Sequence, residues 1–161
     1  MTTDAQTIMD ALRRIVQALR QSAAQSEQSL NITGAQALVL KHVALREGVS
    51  VNELAGLTFT HQSTVSEVVS RLEGRGLLKR ERAVEDGRRV EVRLTEAGKA
   101  AAQNTVVTAQ ERLIQALQIL PPETVSNLAN GLDALIVAAG MSEEAPIMFF
   151  ETTSSQKGTP E

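Results

Sequence analysis

The chain has 161 residues, enough for one ordinary domain with helical extensions. It is 42% hydrophobic and 22% charged with a net charge of −3, an average balance for a folded protein. The absence of cysteine excludes disulfides, thiol redox sensing and cysteine-zinc sites. Two histidines make a His-rich metal centre unlike this chain, and three Phe with no Tyr or Trp give no platform for stacking single-stranded bases.

The polar, acidic start is not a secretion signal, and no apolar run reaches the roughly 18 residues of a membrane span. The cytoplasm is the expected location. Charge is uneven along the chain. Residues 61–99 hold nine Lys/Arg against seven Asp/Glu, whereas the rest holds seven against twelve. A mildly basic middle in an acidic frame suits local phosphate contact.

In chain order, Ile8, Leu12, Ile15, Val16 and Leu19 recur at spacings of three and four, predicting an amphipathic helix to about residue 28. Thr33-Gly34-Ala35-Gln36 has the form of a capping box and opens a second helix. Its predicted buried stripe is Ala35, Leu38, Val39, His42 and Val43, and Gly48 ends it. Ser50-Val51-Asn52-Glu53 is another capping box, opening a short helix with Leu54 and Ala55 inside. After the tight Thr58-Phe59-Thr60 connection, Thr60 is the expected cap of a further helix burying Val65, Val68, Val69 and Leu72. Gly74 and Gly76 stop it. Two short helices joined this closely make a helix-turn-helix candidate.

The period then changes to two. Leu77 and Leu78 begin a strand to about Arg82, and Val90, Val92 and Leu94 alternate with charged residues in a second. Glu85-Asp86-Gly87 is the turn between them, giving a hairpin with a charged tip, a wing. Thr95 caps a predicted long helix over 97–120, with Val106, Ala109, Leu113, Ile114 and Leu117 on one side. Pro121-Pro122 ends it and starts a last helix bearing Val125, Leu128, Leu132, Leu135 and Ile136, closed by Gly140. From 142 onward the chain is polar and expected to be loose, except for Ile147-Met148-Phe149-Phe150, which is expected to pack on a dimer.

The fold class is therefore mainly α with a small β-hairpin. Residues 1–32 form an N-terminal dimerisation helix, 33–97 a winged helix-turn-helix, 98–141 the C-terminal dimerisation helices and 142–161 a tail. A single copy would leave the terminal helices poorly covered, so a two-fold homodimer is expected, matched to a palindromic DNA site.

Within residues 60–98 the sequence resembles the MarR (multiple-antibiotic-resistance regulator) family of winged-helix transcription factors. The resemblance is carried by Ser63-Thr64-Val65-Ser66, Val69-Ser70-Arg71-Leu72-Glu73 and Gly76-Leu77-Leu78-Lys79-Arg80. It continues in Asp86-Gly87-Arg88-Arg89 and Val92-Arg93-Leu94-Thr95-Glu96-Ala97-Gly98. It implies that the helix after the turn lies in the major groove of double-stranded DNA. His61, Gln62, Ser63, Thr64, Ser66 and Glu67 are then the candidate contacts, with Ser70 and Arg71 further along. Gln62 suits an adenine edge, and the short hydroxyl side chains suit phosphates. Glu67 departs from the family, where a basic residue is common, and Arg71 four residues later is its expected partner.

The resemblance further implies that Arg88 enters the minor groove and Arg89 meets phosphate. Gly87 permits the tight wing tip, and Asp86 holds the wing by pairing with Arg80. Family likeness also implies a repressor of a pseudo-palindromic operator, relieved by a small aromatic or phenolic effector. Leu12, Ile15, Leu38, His42 and Phe59 are the pocket candidates by position. The alternative is a winged helix that binds protein and no DNA. No nucleophile elbow, phosphate loop, dinucleotide fingerprint or metal-ligand cluster is present in the sequence, so neither catalysis nor a cofactor is expected.

Overall fold

The structure is a computed structural model that describes residues 3–141 and 146–149. The remaining tail residues, and with them the expectation of a loose tail there, lie outside the described residues.

Helix α1 (Asp4–Leu30) starts where Thr3 Oγ1 accepts the Gln6 N–H and ends at Asn31, whose φ is +51°. Helix α2 (Gly34–Leu45) carries both hydrogen bonds of the Thr33–Gln36 capping box. It ends at Leu45, three residues before Gly48. The expected single stripe is too narrow, because Gln36, Ala37 and Leu40 are buried as well. The cause is position. The helix packs against α1, against the helices that follow it and against the hairpin, and a helix apolar all round belongs at the centre.

Helix α3 (Val51–Leu57) has the Ser50–Glu53 box fully formed. Phe59 then takes φ +50°, a left-handed conformation costly for a bulky side chain, and is 62% exposed. Helix α4 (Gln62–Gly74) buries Val65, Val68, Val69 and Leu72 as predicted. Strands β1 (Leu78–Arg82) and β2 (Val90–Leu94) pair antiparallel, with Arg80 opposite Val92. A further bridge, the Val92 N–H donating to the Val49 carbonyl at 2.8 Å, ties the wing to the loop before α3. Leu38, Leu54, Val65, Leu72, Leu78 and Val92 share one core.

The predicted long helix is two helices, α5 (Glu96–Gln103) and α6 (Ala109–Ile119). The break over 104–108 has a local cause. Thr105-Val106-Val107-Thr108 are all β-branched and lose rotamer freedom in a helix. Thr108 then restarts the helix by accepting the Glu111 N–H at 3.1 Å. Ser22 Oγ of α1 accepts the Ala109 N–H at 2.9 Å, so the restart is also anchored across the fold. Val106, expected inside, is exposed in the break.

Helix α7 (Pro122–Ala138) has Pro at its first turn and no buried residue. Leu128, Leu132, Leu135 and Ile136 are each 39–45% exposed at spacings of four, three and one. Ile8, Met9, Ile15 and Val16 of α1 are similarly open. Met148, expected on a partner copy, is buried in the core of its own chain.

Candidate nucleic-acid interface

Three elements shape the candidate interface: the α3–α4 turn, the first turns of α4, and the hairpin. Helix α4 begins without a side-chain cap. Its cap residue is His61 rather than the expected Thr60, and the imidazole makes no capping hydrogen bond. The first amide groups of the helix are thus left for an outside acceptor. Together with the helix dipole they favour an anion. His61, Gln62 and Ser63 are exposed there and Thr64 is half-buried.

One turn further on, Arg71 Nη2 donates to Glu67 Oε1 at 2.8 Å, the pairing expected from their spacing. It moderates the repulsion that a lone carboxylate would bring to a phosphate surface. Ser70 Oγ donates to the Ser66 carbonyl at 2.8 Å, so its proton is already committed.

The wing corrects two expectations and adds a partner to a third residue. Arg80 does not meet Asp86; its guanidinium pairs with Glu73 on α4. Asp86 serves the turn instead, its Oδ1 accepting the Arg88 N–H at 3.0 Å. Gly87 has open space where a Cβ would stand and no positive φ, so the backbone there does not require glycine. Arg89, expected on phosphate, donates from Nη2 to Glu53 at 2.7 Å and to the Gly48 carbonyl at 3.4 Å. Arg88 is the cation of this pair left facing outward: among the described residues its guanidinium has no partner, and it is exposed.

Glu53 explains why Arg89 is drawn inward. Its carboxylate accepts the Ser50 N–H at 2.8 Å, which, aided by the Ser50 side chain and by Arg89, holds its pKa below the usual carboxylate range. A charged Glu53 is then available to the wing at neutral pH. None of this long-range pairing was visible in spacing.

The five pocket candidates have different surroundings in the single chain. Leu38 is wholly buried and Leu12 half-buried. Ile15 edges a 290 Å³ groove between α1 and α6. Phe59 lines a 470 Å³ cleft with Thr60, His61 and Met148. His42 is half-buried, with its Nε2 enclosed and unpartnered. A larger cleft of 730 Å³ that sequence reasoning missed lies behind the hairpin, between Val43, Glu47, Lys79, Arg93 and Lys99.

Residues 30–89 match the sequence model of the MarR family. The fold recurs in solved structures. The MepR–DNA complex of Staphylococcus aureus superposes with a TM-score of 0.54 at 22% identity, covering 80% of this chain and 95% of that one. The transcriptional regulator SlyA gives 0.55 at 26% identity, covering 85% and 94%. BldR from Sulfolobus solfataricus gives 0.55 at 22%, covering 82% and 94%. These spans exceed residues 30–89, so the likeness includes flanking helices. No curated protein sequence matches the chain. No helix among the described residues is long and apolar enough to cross a membrane.

Proposed function

We propose that the protein, whose residues 30–89 match the sequence model of the MarR family, is a cytoplasmic, DNA-binding transcriptional regulator of that family. The family is one of regulators, not enzymes. The observation that carries the reading is the uncapped start of α4, with His61, Gln62 and Ser63 turned outward. This is the end of a recognition helix that meets base edges, and its free amides suit phosphate. MepR, which shares the fold, has been solved as a DNA complex.

Gln62 reads a base edge, while Ser63 and Thr64 hold phosphates and let the helix approach closely. The Glu67–Arg71 pair lies at the margin of the contact. Arg88 enters the flanking minor groove. Arg89 supports the wing through Glu53 rather than meeting DNA first.

The protein acts as a homodimer on a pseudo-palindromic operator. Support comes from the open apolar faces of α1 and α7, which a second copy would cover. It is a repressor. A small aromatic effector relieves repression by altering the separation of the two α4 helices, which must stay near one helical turn, about 34 Å. Leu12, Ile15, Leu38, His42 and Phe59 are the candidate residues for its site.

Titration of a labelled random-sequence duplex at stepped salt concentrations tests the reading. Affinity falling steeply with salt, as counterions are released, supports it. Salt-insensitive or undetectable binding would overturn it and favour a winged helix that binds protein.

A further inference from the structure

Arg80 shares the inner face of β1 with buried Leu78, opposite buried Val92, and its guanidinium is spent on α4. Nη1 donates to the Glu73 carboxylate. Nη2 donates to the Ser66 carbonyl at 3.2 Å and to Ser70 Oγ at 3.1 Å. The Arg80 backbone N–H donates to Glu73 Oε1 at 3.2 Å. One hairpin residue thus grips positions 66, 70 and 73, a single stripe of α4 at spacings of four and three.

Two further ties join α4 to the hairpin: the Leu77 N–H donates to the Leu72 carbonyl at 3.0 Å where the chain leaves the helix, and Leu72 and Leu78 share the core. The backbone bond acts at the root of the hairpin, and apolar burial is non-directional. A planar guanidinium fork holding a carboxylate and a carbonyl is directional.

We propose that Arg80 is a positioning residue for DNA recognition. It fixes the angle between α4 and the wing, and so the number of base pairs between the major-groove and minor-groove contacts. The inference rests on the regulator reading above, in which α4 and Arg88 are the contacting groups. It also assigns the Ser70 hydroxyl to the clamp rather than to DNA, while from Ser66 it takes only the backbone carbonyl.

Hydroxyl-radical footprinting on a duplex selected by the wild-type protein from a random pool tests it. The variants are Arg80→Lys, Arg80→Met and Glu73→Gln, each checked for fold by circular dichroism. Protection under α4 is expected to stay in place, while protection at the flanks under the wing fades or shifts. Affinity falls about three- to tenfold. Arg80→Lys behaves like Arg80→Met, because charge without the fork does not hold the angle. Should Arg80→Met fail to fold, the other two variants decide. Wild-type-like flanks in Arg80→Lys, or uniformly weaker binding with an unchanged footprint in all variants, would overturn the inference while leaving the regulator reading intact. A wild-type protein that protects no DNA would remove both.

Discussion

A Cβ on Gly98 would stand 1.9 Å from the carbonyl oxygen of Leu77. Helix α5 meets the root of β1 backbone to backbone here. Thr95 Oγ1 secures the same corner, donating to the Gly76 carbonyl at 2.6 Å and accepting the Gly98 N–H at 3.0 Å. Gly98→Ala is expected to lower stability by about 1–3 kcal/mol, since the obstacle is backbone and cannot rotate aside. Urea unfolding measures this, and an unchanged midpoint would contradict the packing described.

His42 gives stability a pH dependence of defined sign. Burial lowers its pKa from the ordinary 6.5, Glu111 opposes this and Lys41 adds to it. The unfolded chain therefore takes up this proton before the folded one does. The contribution of His42 is intact above about pH 6.5 and is lost as pH falls toward its folded pKa. Denaturation at pH 7.5 and pH 5 should show wild type weakening over that window and His42→Gln weakening less. Equal losses in both proteins would assign the dependence elsewhere.

Arg88 and Arg89 are adjacent yet are expected to fail differently. Arg88→Ala removes an unpartnered cation, so stability should stay within about 0.5 kcal/mol. Its DNA affinity should fall, with the salt slope reduced by about one. Arg89→Ala breaks the bridge to Glu53 and should lower both the melting midpoint and DNA affinity. Anisotropy titration beside thermal unfolding separates the two. Identical behaviour would erase the division of labour.

Leu132 lies in the middle of the open face of α7, between Leu128 and Leu135. Leu132→Glu should turn a dimer into a monomer without unfolding the winged helix, because no residue of α7 is buried in the single chain. Sedimentation velocity reads the change. A wild-type monomer at micromolar concentration would rule out α7 as a dimer seam.

Local chemistry was legible in the sequence and tertiary pairing was not. The boxes at Thr33–Gln36 and Ser50–Glu53 formed as read because each is closed within four residues. The Glu67–Arg71 pair was legible for the same reason. The break before α6 was missed because apolar periodicity runs through it. Its signal was present in Thr108-Ala109-Gln110-Glu111, the same pattern as the two recognised boxes. The partner of Arg80 was sought at Asp86 along the wing, but the turn at Gly76 brings Glu73 nearer. Glu53 and Arg89 are 36 residues apart and meet only through the Val49–Val92 bridge region. Nothing about Phe59 announced its positive φ, since aromatic residues seldom adopt it.

On the proposed function, α4 and the wing of two copies read a DNA sequence as a symmetric pair. Selection from a random duplex pool, followed by sequencing of the bound fraction, tests it most directly. The expected result is enrichment of an inverted repeat whose half-sites are centred about one helical turn apart, near 10 base pairs, with A·T-rich flanks where Arg88 enters. A bound pool with the composition of the input, or enrichment of a single unrepeated site, would contradict it.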